Sequence, residues 1–239
     1  MANAQPWPQF LMNSFLSATQ ASATEESVYY GPYMRLLYHM FSVDGPFEII
    51  PQFHIPIAPR ESIDIVTMFT VELNKHPVLF IEVKPPASLR LDSKRQEADR
   101  QMRDRFRDLR PDVVTPSLPG ISAFGTYLSF YRYDKATNSV TPPAIAADLN
   151  IMTDVAPKSR WDCDLLDATG ATRFREVINE VKAMCAHLNG KWYLPRSKLF
   201  LSNPSRLCSL RNPQTCGGGK RKSSPCPWRY IISSLSAPI

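Results

Sequence analysis

The chain has 239 residues, 44% of them hydrophobic, with 28 Lys and Arg against 22 Asp and Glu and a formal net charge of +6. It has no run of ~18 apolar residues, its 22 prolines interrupt any long helix, and its five cysteines include no C-x-x-C pair, so a spanning helix, a coiled coil, a dense disulfide framework and a zinc ribbon are excluded. The charge is unevenly placed: residues 196–239 hold eight basic side chains and no acid, and without them the remainder is net −2. The basic balance belongs to the tail and is no evidence that the body tracks nucleic acid.

Residues 1–22 are polar, Pro-containing and aperiodic, which predicts a loose N-terminal arm. No basic residue precedes Arg35, and Pro6, Pro8 and Asn13 break the apolar run, which argues against a signal peptide. Ser22-x-x-Glu25 fits a capping box. It opens a helix whose apolar positions are Val28, Tyr33, Leu36, Leu37, Met40 and Phe41, with Gly31-Pro32 as a kink or a second start. Three strand-like runs follow, Phe47–Ile57, Ser62–Leu73 and Pro77–Lys84, rich in Ile, Val and Phe. Leu89–Leu109 is heavily charged, but Leu91, Ala98, Met102, Phe106 and Leu109 recur on one helical stripe. A Pro-rich link leads to a strand over Thr126–Tyr133, residues 135–160 read as a loop, and Ala171–Leu188 reads as a helix closed by Gly190. The expected organisation is one α/β domain over 23–190, followed by a basic, disordered tail over 191–239. The odd cysteine count points to a reduced, intracellular setting, cytoplasmic or nuclear.

The chemistry-bearing stretch runs from Ser62-Ile-Asp64 to Glu82-Val-Lys84. An antiparallel pairing turned near Asn74-Lys75 sets Asp64 opposite Lys84 and Val66 opposite Glu82. Asp64 then shares a face with Phe80, Glu82 and Lys84. Directly opposed Cβ atoms lie ~5 Å apart and diagonal ones ~7–8 Å, so two carboxylates and an ammonium converge. A one-residue slip would send Asp64 to the other face. Two carboxylates, with the Val83 backbone carbonyl between them, suit a hard cation such as Mg²⁺ or Mn²⁺. Lys84 stands where it could orient or deprotonate a water, or stabilise a phosphoryl transition state.

Asp64 with Glu82-Val83-Lys84, on adjacent strands between two helices, resembles the PD-(D/E)xK nuclease superfamily over residues 25–134. The predicted α-β-β-β-α-β order is similar to that family's restriction-endonuclease-like core, with a mixed central sheet and an extra C-terminal helix. Residues 25–190 are also similar to fungal proteins of unassigned function. The resemblance implies Mg²⁺-dependent hydrolysis of a nucleic-acid phosphodiester, with Asp64 and Glu82 as metal ligands and Lys84 acting on the water. Ile63 stands where the motif's name has Pro. Many members also place a Gln or a base on the following helix. Gln101, flanking the apolar stripe, is the better match than Gln96, and Arg95, within the stripe near the helix start and closest to where phosphate would lie, is a further catalytic candidate. Glu25 and Glu26 match the first-helix acid of some members. A non-catalytic binding module on the same fold is the alternative, and a surface ion cluster a third possibility.

Other features weigh less. The seven basic residues of Lys94–Arg110 could track phosphates, but their alternation with acids, as in Asp99–Arg103, favours a solvated helix face. The aromatic residues Tyr127, Phe130, Tyr131 and Tyr133 could stack bases, and sheet packing explains them more simply. Gly217–Lys220 is followed by Arg and follows no strand, which is wrong for a phosphate loop. Lys220-Arg221-Lys222 is a short basic cluster. Cys163 and Cys185 read as small buried hydrophobes.

Overall fold

Ile, Val and Phe dominate the stretch before Lys84. In the computed structural model, which describes residues 6–51, 68–146 and 153–192, that stretch supplies three strands: β1 (Phe47–Pro51), β2 (Met68–Leu73) and β3 (His76–Lys84). The remaining parts of the runs expected over Phe47–Ile57 and Ser62–Leu73 lie outside the described residues, as does the predicted tail from residue 193 onward. The helix α3 (Asp92–Leu109) follows, entered through a 3-10 turn at Pro86–Arg90. Next come β4 (Ser117–Phe124), β5 (Tyr127–Asp134), β6 (Ser139–Thr141) and β7 (Cys163–Asp164). Among the described residues the sheet runs β1-β2-β3-β4-β5-β6, with β7 beside β5. The pair β3–β4 is parallel and the other neighbours are antiparallel, so the domain is α/β with a mixed central sheet.

The strand expected over Thr126–Tyr133 is β5, and the strand that follows α3 and pairs with β3 is β4, which spans the end of the Pro-rich link and the residues before Thr126. Pro116, Pro119 and Gly120 read as breakers there. Pro119 lies one position outside the β3 ladder, which begins at Phe80–Gly120. Gly120 is required by close approach: a Cβ would come within 2.6–2.8 Å of the Phe80 and Phe106 rings. The predicted loop over 135–160 also contains β6 and a short 3-10 turn at Lys158–Arg160.

Strand residues alternate between two apolar layers. Leu79, Ile81 and Val83 of β3 join Ile121 and Ala123 of β4 in one core. That core also takes in α1 (Gln9–Ala21), α2 (Tyr30–Phe41) and α4 (Ala168–Trp192). On the other face Phe80 and Met68 pack with Met102 and Phe106 of α3. The Phe80 and Phe106 rings meet edge to face at 4.9 Å.

The loose arm expected over 1–22 is corrected by α1. Leu11, Phe15 and Ala18, spaced four and three apart, are buried on one stripe. Trp7 is buried beside them and donates its indole N–H to the Leu165 carbonyl at 2.7 Å. The Ser22 hydroxyl accepts the Glu25 N–H at 3.2 Å as a capping box requires, yet helix begins only at a 3-10 turn from Ser27. Pro32 sits in the first turn of α2, where a missing N–H costs nothing. Leu91, expected on the α3 stripe, precedes the helix and is exposed. The last helix begins earlier than expected and continues through Gly190 to Trp192. Among the described residues no helix is long and apolar enough to cross a membrane.

Candidate active site

The register of the β2–β3 hairpin decides which side chains accompany Glu82. Asn74 and Lys75, both at positive φ, form a two-residue turn that leaves Leu73 opposite His76. A β-bulge between Val71 and Glu72 then shifts the pairing by one, so that Thr70 faces Phe80 and Met68 faces Glu82. The expected partner of Glu82, Val66, is thereby corrected to Met68. The tip and the bulge together displace the expected pairing by two residues. That keeps Met68 and Thr70 on the Glu82 face, where a displacement of one would have inverted them. On the other side the parallel pairing sets Ser122 beside Glu82 and Phe124 beside Lys84.

Glu82 is 1% exposed, and Lys84 places its Nζ 3.3 Å from Glu82 Oε1. Burial raises the proton affinity of the Glu82 carboxyl above its ordinary value. The positive charges of Lys84 and Arg105 oppose that rise, and the negative charge of Glu26 adds to it. Above this face lies α3, with Gln101 and Arg105 one turn apart. Among the described residues, the buried side-chain polar atoms without a hydrogen-bond partner are Thr70 Oγ1, both Glu82 oxygens, Gln101 Oε1 and Arg105 Nε. All are carried by β2, β3 and α3. Buried polar groups are ordinarily paired, so their concentration on one face sets this spot apart from the rest of the described domain.

The backbone at Lys84 is anchored from two directions. Its carbonyl accepts the Gly125 N–H at 3.0 Å, and the Gly125 carbonyl accepts the Tyr33 hydroxyl of α2 at 2.7 Å. Gly125 holds φ +62 in the two-residue turn between β4 and β5. A Cβ there would meet Pro86 at 2.9 Å and the Tyr29 hydroxyl at 3.1 Å. Only glycine satisfies both the dihedral and the space.

Of the residues singled out in the sequence, Glu82, Lys84 and Gln101 fall on this face. The Val83 side chain turns into the opposite core, as alternation requires, and its backbone lies between the two charges. Glu26 is within electrostatic reach of Glu82, whereas Glu25 and Gln96 are exposed. Asp64 lies outside the described residues. Arg95 is engaged elsewhere: it donates to the Ala156 and Leu89 carbonyls at 2.9 and 3.1 Å and contacts Asp92 and Asp154 at 2.6 and 3.0 Å. It ties the segment around Ala156 to the start of α3. Asp99 has a similar role, pairing with Arg103 at 2.9 Å and Arg160 at 2.5 Å and accepting the Tyr131 hydroxyl at 2.9 Å.

Sequence reasoning missed Arg105 and Thr70. The signal for Arg105 was present, because it lies four residues after Gln101 and so on the same helix face. Thr70 could be placed only once the bulge was known.

Glu82, Gln101 and Thr70 carry the side-chain oxygens on this face that could hold a cation. Carboxylate, amide and hydroxyl oxygens are the preferred ligands of Mg²⁺, which takes one or two carboxylates rather than a dedicated cage. Among the described residues no group of three or more His, Cys, Asp or Glu is gathered that could hold a metal ion. Comparison with known proteins yields no match to a family, to a curated protein or to a solved structure.

Proposed function

We propose that this domain has a restriction-endonuclease-like core and hydrolyses nucleic-acid phosphodiesters with Mg²⁺ or Mn²⁺. The observation that carries the reading is Glu82. Among the described residues it is a buried carboxylate whose one close polar neighbour in an ion pair is the Lys84 ammonium at 3.3 Å, at the carboxyl end of the parallel strand pair, the edge where open α/β sheets bind ligands. Glu82, with Asp64 from the segment outside the described residues and the Val83 carbonyl, would hold the cation. Bound there, the ion supplies charge neutralisation at a phosphoryl oxygen and a more acidic water. Lys84 orients that water and offsets negative charge at the attacked phosphorus. Gln101 and Arg105 line the α3 side, the amide to position and the guanidinium to bind phosphate oxygens.

The near-complete burial of Glu82 favours a second reading, a binding module that has kept the fold without the chemistry. One assay separates the two: cleavage of plasmid and single-stranded DNA and RNA in Mg²⁺ or Mn²⁺ by the full chain and its Glu82→Gln, Lys84→Ala and Asp64→Asn variants. The nuclease reading expects metal-dependent cleavage that falls at least ~10²-fold in Lys84→Ala. Equal cleavage by wild type and Lys84→Ala rejects it, and nucleic-acid binding without cleavage selects the module.

A further inference from the structure

A second feature opens on the same face of the sheet. Leu89, Tyr127, Lys158, Ser159 and Trp161 line a cavity of about 420 Å³. Its base is apolar: Leu89 and Trp161 are buried and pack with Phe124 and Ala98. The polar edge of Trp161 is already satisfied, since its indole N–H donates to the Ser122 hydroxyl at 3.2 Å. The indole therefore presents hydrocarbon to the cavity. Tyr127 differs from the other aromatic residues of β5. Tyr131 and Tyr133 are buried in the α3 core, whereas Tyr127 is 43% exposed. Lys158 is exposed and makes no ion pair among the described residues. Among the described residues no acidic side chain lines the cavity.

Its position relates it to Lys84. Lys84 pairs with Phe124, and Phe124 pairs with Tyr127. Paired residues share a face, so Tyr127 stands two strand spacings, ~10 Å, from Lys84 on its own side of the sheet. That is the reach of the next nucleotide or two along a strand whose phosphate lies at Lys84.

We infer that this cavity is a subsite for an unpaired nucleotide flanking the attacked phosphate, its base stacked on Tyr127 over Trp161 and Leu89 and its phosphate on Lys158. The inference rests on the nuclease reading for the placement of the phosphate and names its substrate as single-stranded nucleic acid. A flat aromatic ligand fits the apolar base and the exposed phenol ring, and the single unpaired cation fits the anion it carries. A base paired in a duplex cannot offer its face in this way, so discrimination between single strand and duplex originates at Tyr127.

The test is binding, kept separate from cleavage. Fluorescein-labelled oligothymidylate is titrated into full-length Glu82→Gln protein carrying Tyr127→Ala, Tyr127→Phe or Lys158→Ala, and thermal midpoints are recorded for each. Tyr127→Ala is expected to weaken binding roughly 5- to 100-fold, while Tyr127→Phe retains it. An abasic oligonucleotide of the same length abolishes that difference. Lys158→Ala weakens both probes and lowers the salt dependence by about one counterion. Unchanged affinity in Tyr127→Ala and Lys158→Ala overturns the subsite. If wild type fails to cleave but these binding effects appear, the nuclease reading fails and with it the placement beside an attacked phosphate, while the cavity stands as a site for an unpaired nucleotide. If it cleaves and the effects are missing, the reverse holds.

Discussion

Glu82 and Lys84 lie two residues apart on one strand, 3.3 Å apart through their charged ends, and the attraction between them does not offset the burial of the carboxylate. The proton affinity of Glu82 stays raised despite Lys84 and Arg105. Ion pairs taken out of water commonly show this imbalance.

The imbalance has a measurable sign. A carboxyl that holds its proton more tightly in the folded state contributes stability fully below its ordinary value of 4.5. That contribution is lost as pH rises through the folded value. Glu82→Gln escapes the loss, so it is expected to be more stable than wild type at pH 7 and equal to it near pH 4. Urea denaturation at the two pH values measures this, and a difference independent of pH refutes it.

A bound cation reverses the imbalance. Mn²⁺ or Mg²⁺ at 100 times its Kd should stabilise wild type by ~2.7 kcal/mol and leave Glu82→Gln unmoved. Thermal melts with and without metal, after treatment with a chelator, decide the point. Equal shifts in both proteins would place any metal elsewhere.

Arg95 is expected to matter for folding rather than for catalysis. Removing its guanidinium leaves the Leu89 and Ala156 carbonyls without their donor. Arg95→Met should therefore lose ~2 kcal/mol of stability. Where the protein remains folded, its cleavage rate per folded molecule should match wild type. A large loss of rate without a loss of stability would return Arg95 to the site.

Gly120→Ala forces a methyl against two rings that meet at 4.9 Å. Overpacking of this kind costs ~1–3 kcal/mol. The same substitution together with Phe106→Leu should recover part of the loss, and a double-mutant cycle reads the coupling. Additive effects would mean that the backbone, not the ring, takes up the strain.

Phe15→Ala tests the standing of α1. Phe15 is fully buried and meets the Tyr33 ring edge-on at 5.2 Å, so truncation should cost ~3–5 kcal/mol. A loss below ~0.5 kcal/mol, typical of surface positions, would show that the helix is not part of the core.

What could be read from the sequence divides along physical lines. The apolar stripe of α3 and the Val- and Ile-rich β3 announce themselves because local periodicity and burial coincide there. Glu82, Lys84 and Gln101 follow from that frame. The first helix went unread because Pro6, Pro8 and Asn13 mask a stripe whose partners, Tyr33 and Leu165, are distant in sequence. The strand β4 is hard to read because Pro119 and Gly120 carry breaker signals that the tertiary setting tolerates, one lying beyond the ladder with β3 and the other serving two aromatic rings. The bulge at Val71–Glu72 has no local signature at all. It sets the register of β2 against β3 and hence the company that Glu82 keeps.

The anchoring of Lys84 has a last consequence. Terminal residues of strands ordinarily fray, and a lysine there would sample many positions. Here the Gly125 turn holds the strand end and Tyr33 holds the turn. The ammonium is thus suspended from a fixed point, and only its own flexible stem moves. Such a centre has little room to be switched by rearranging the strand that carries it. Its control must lie in what is admitted to it.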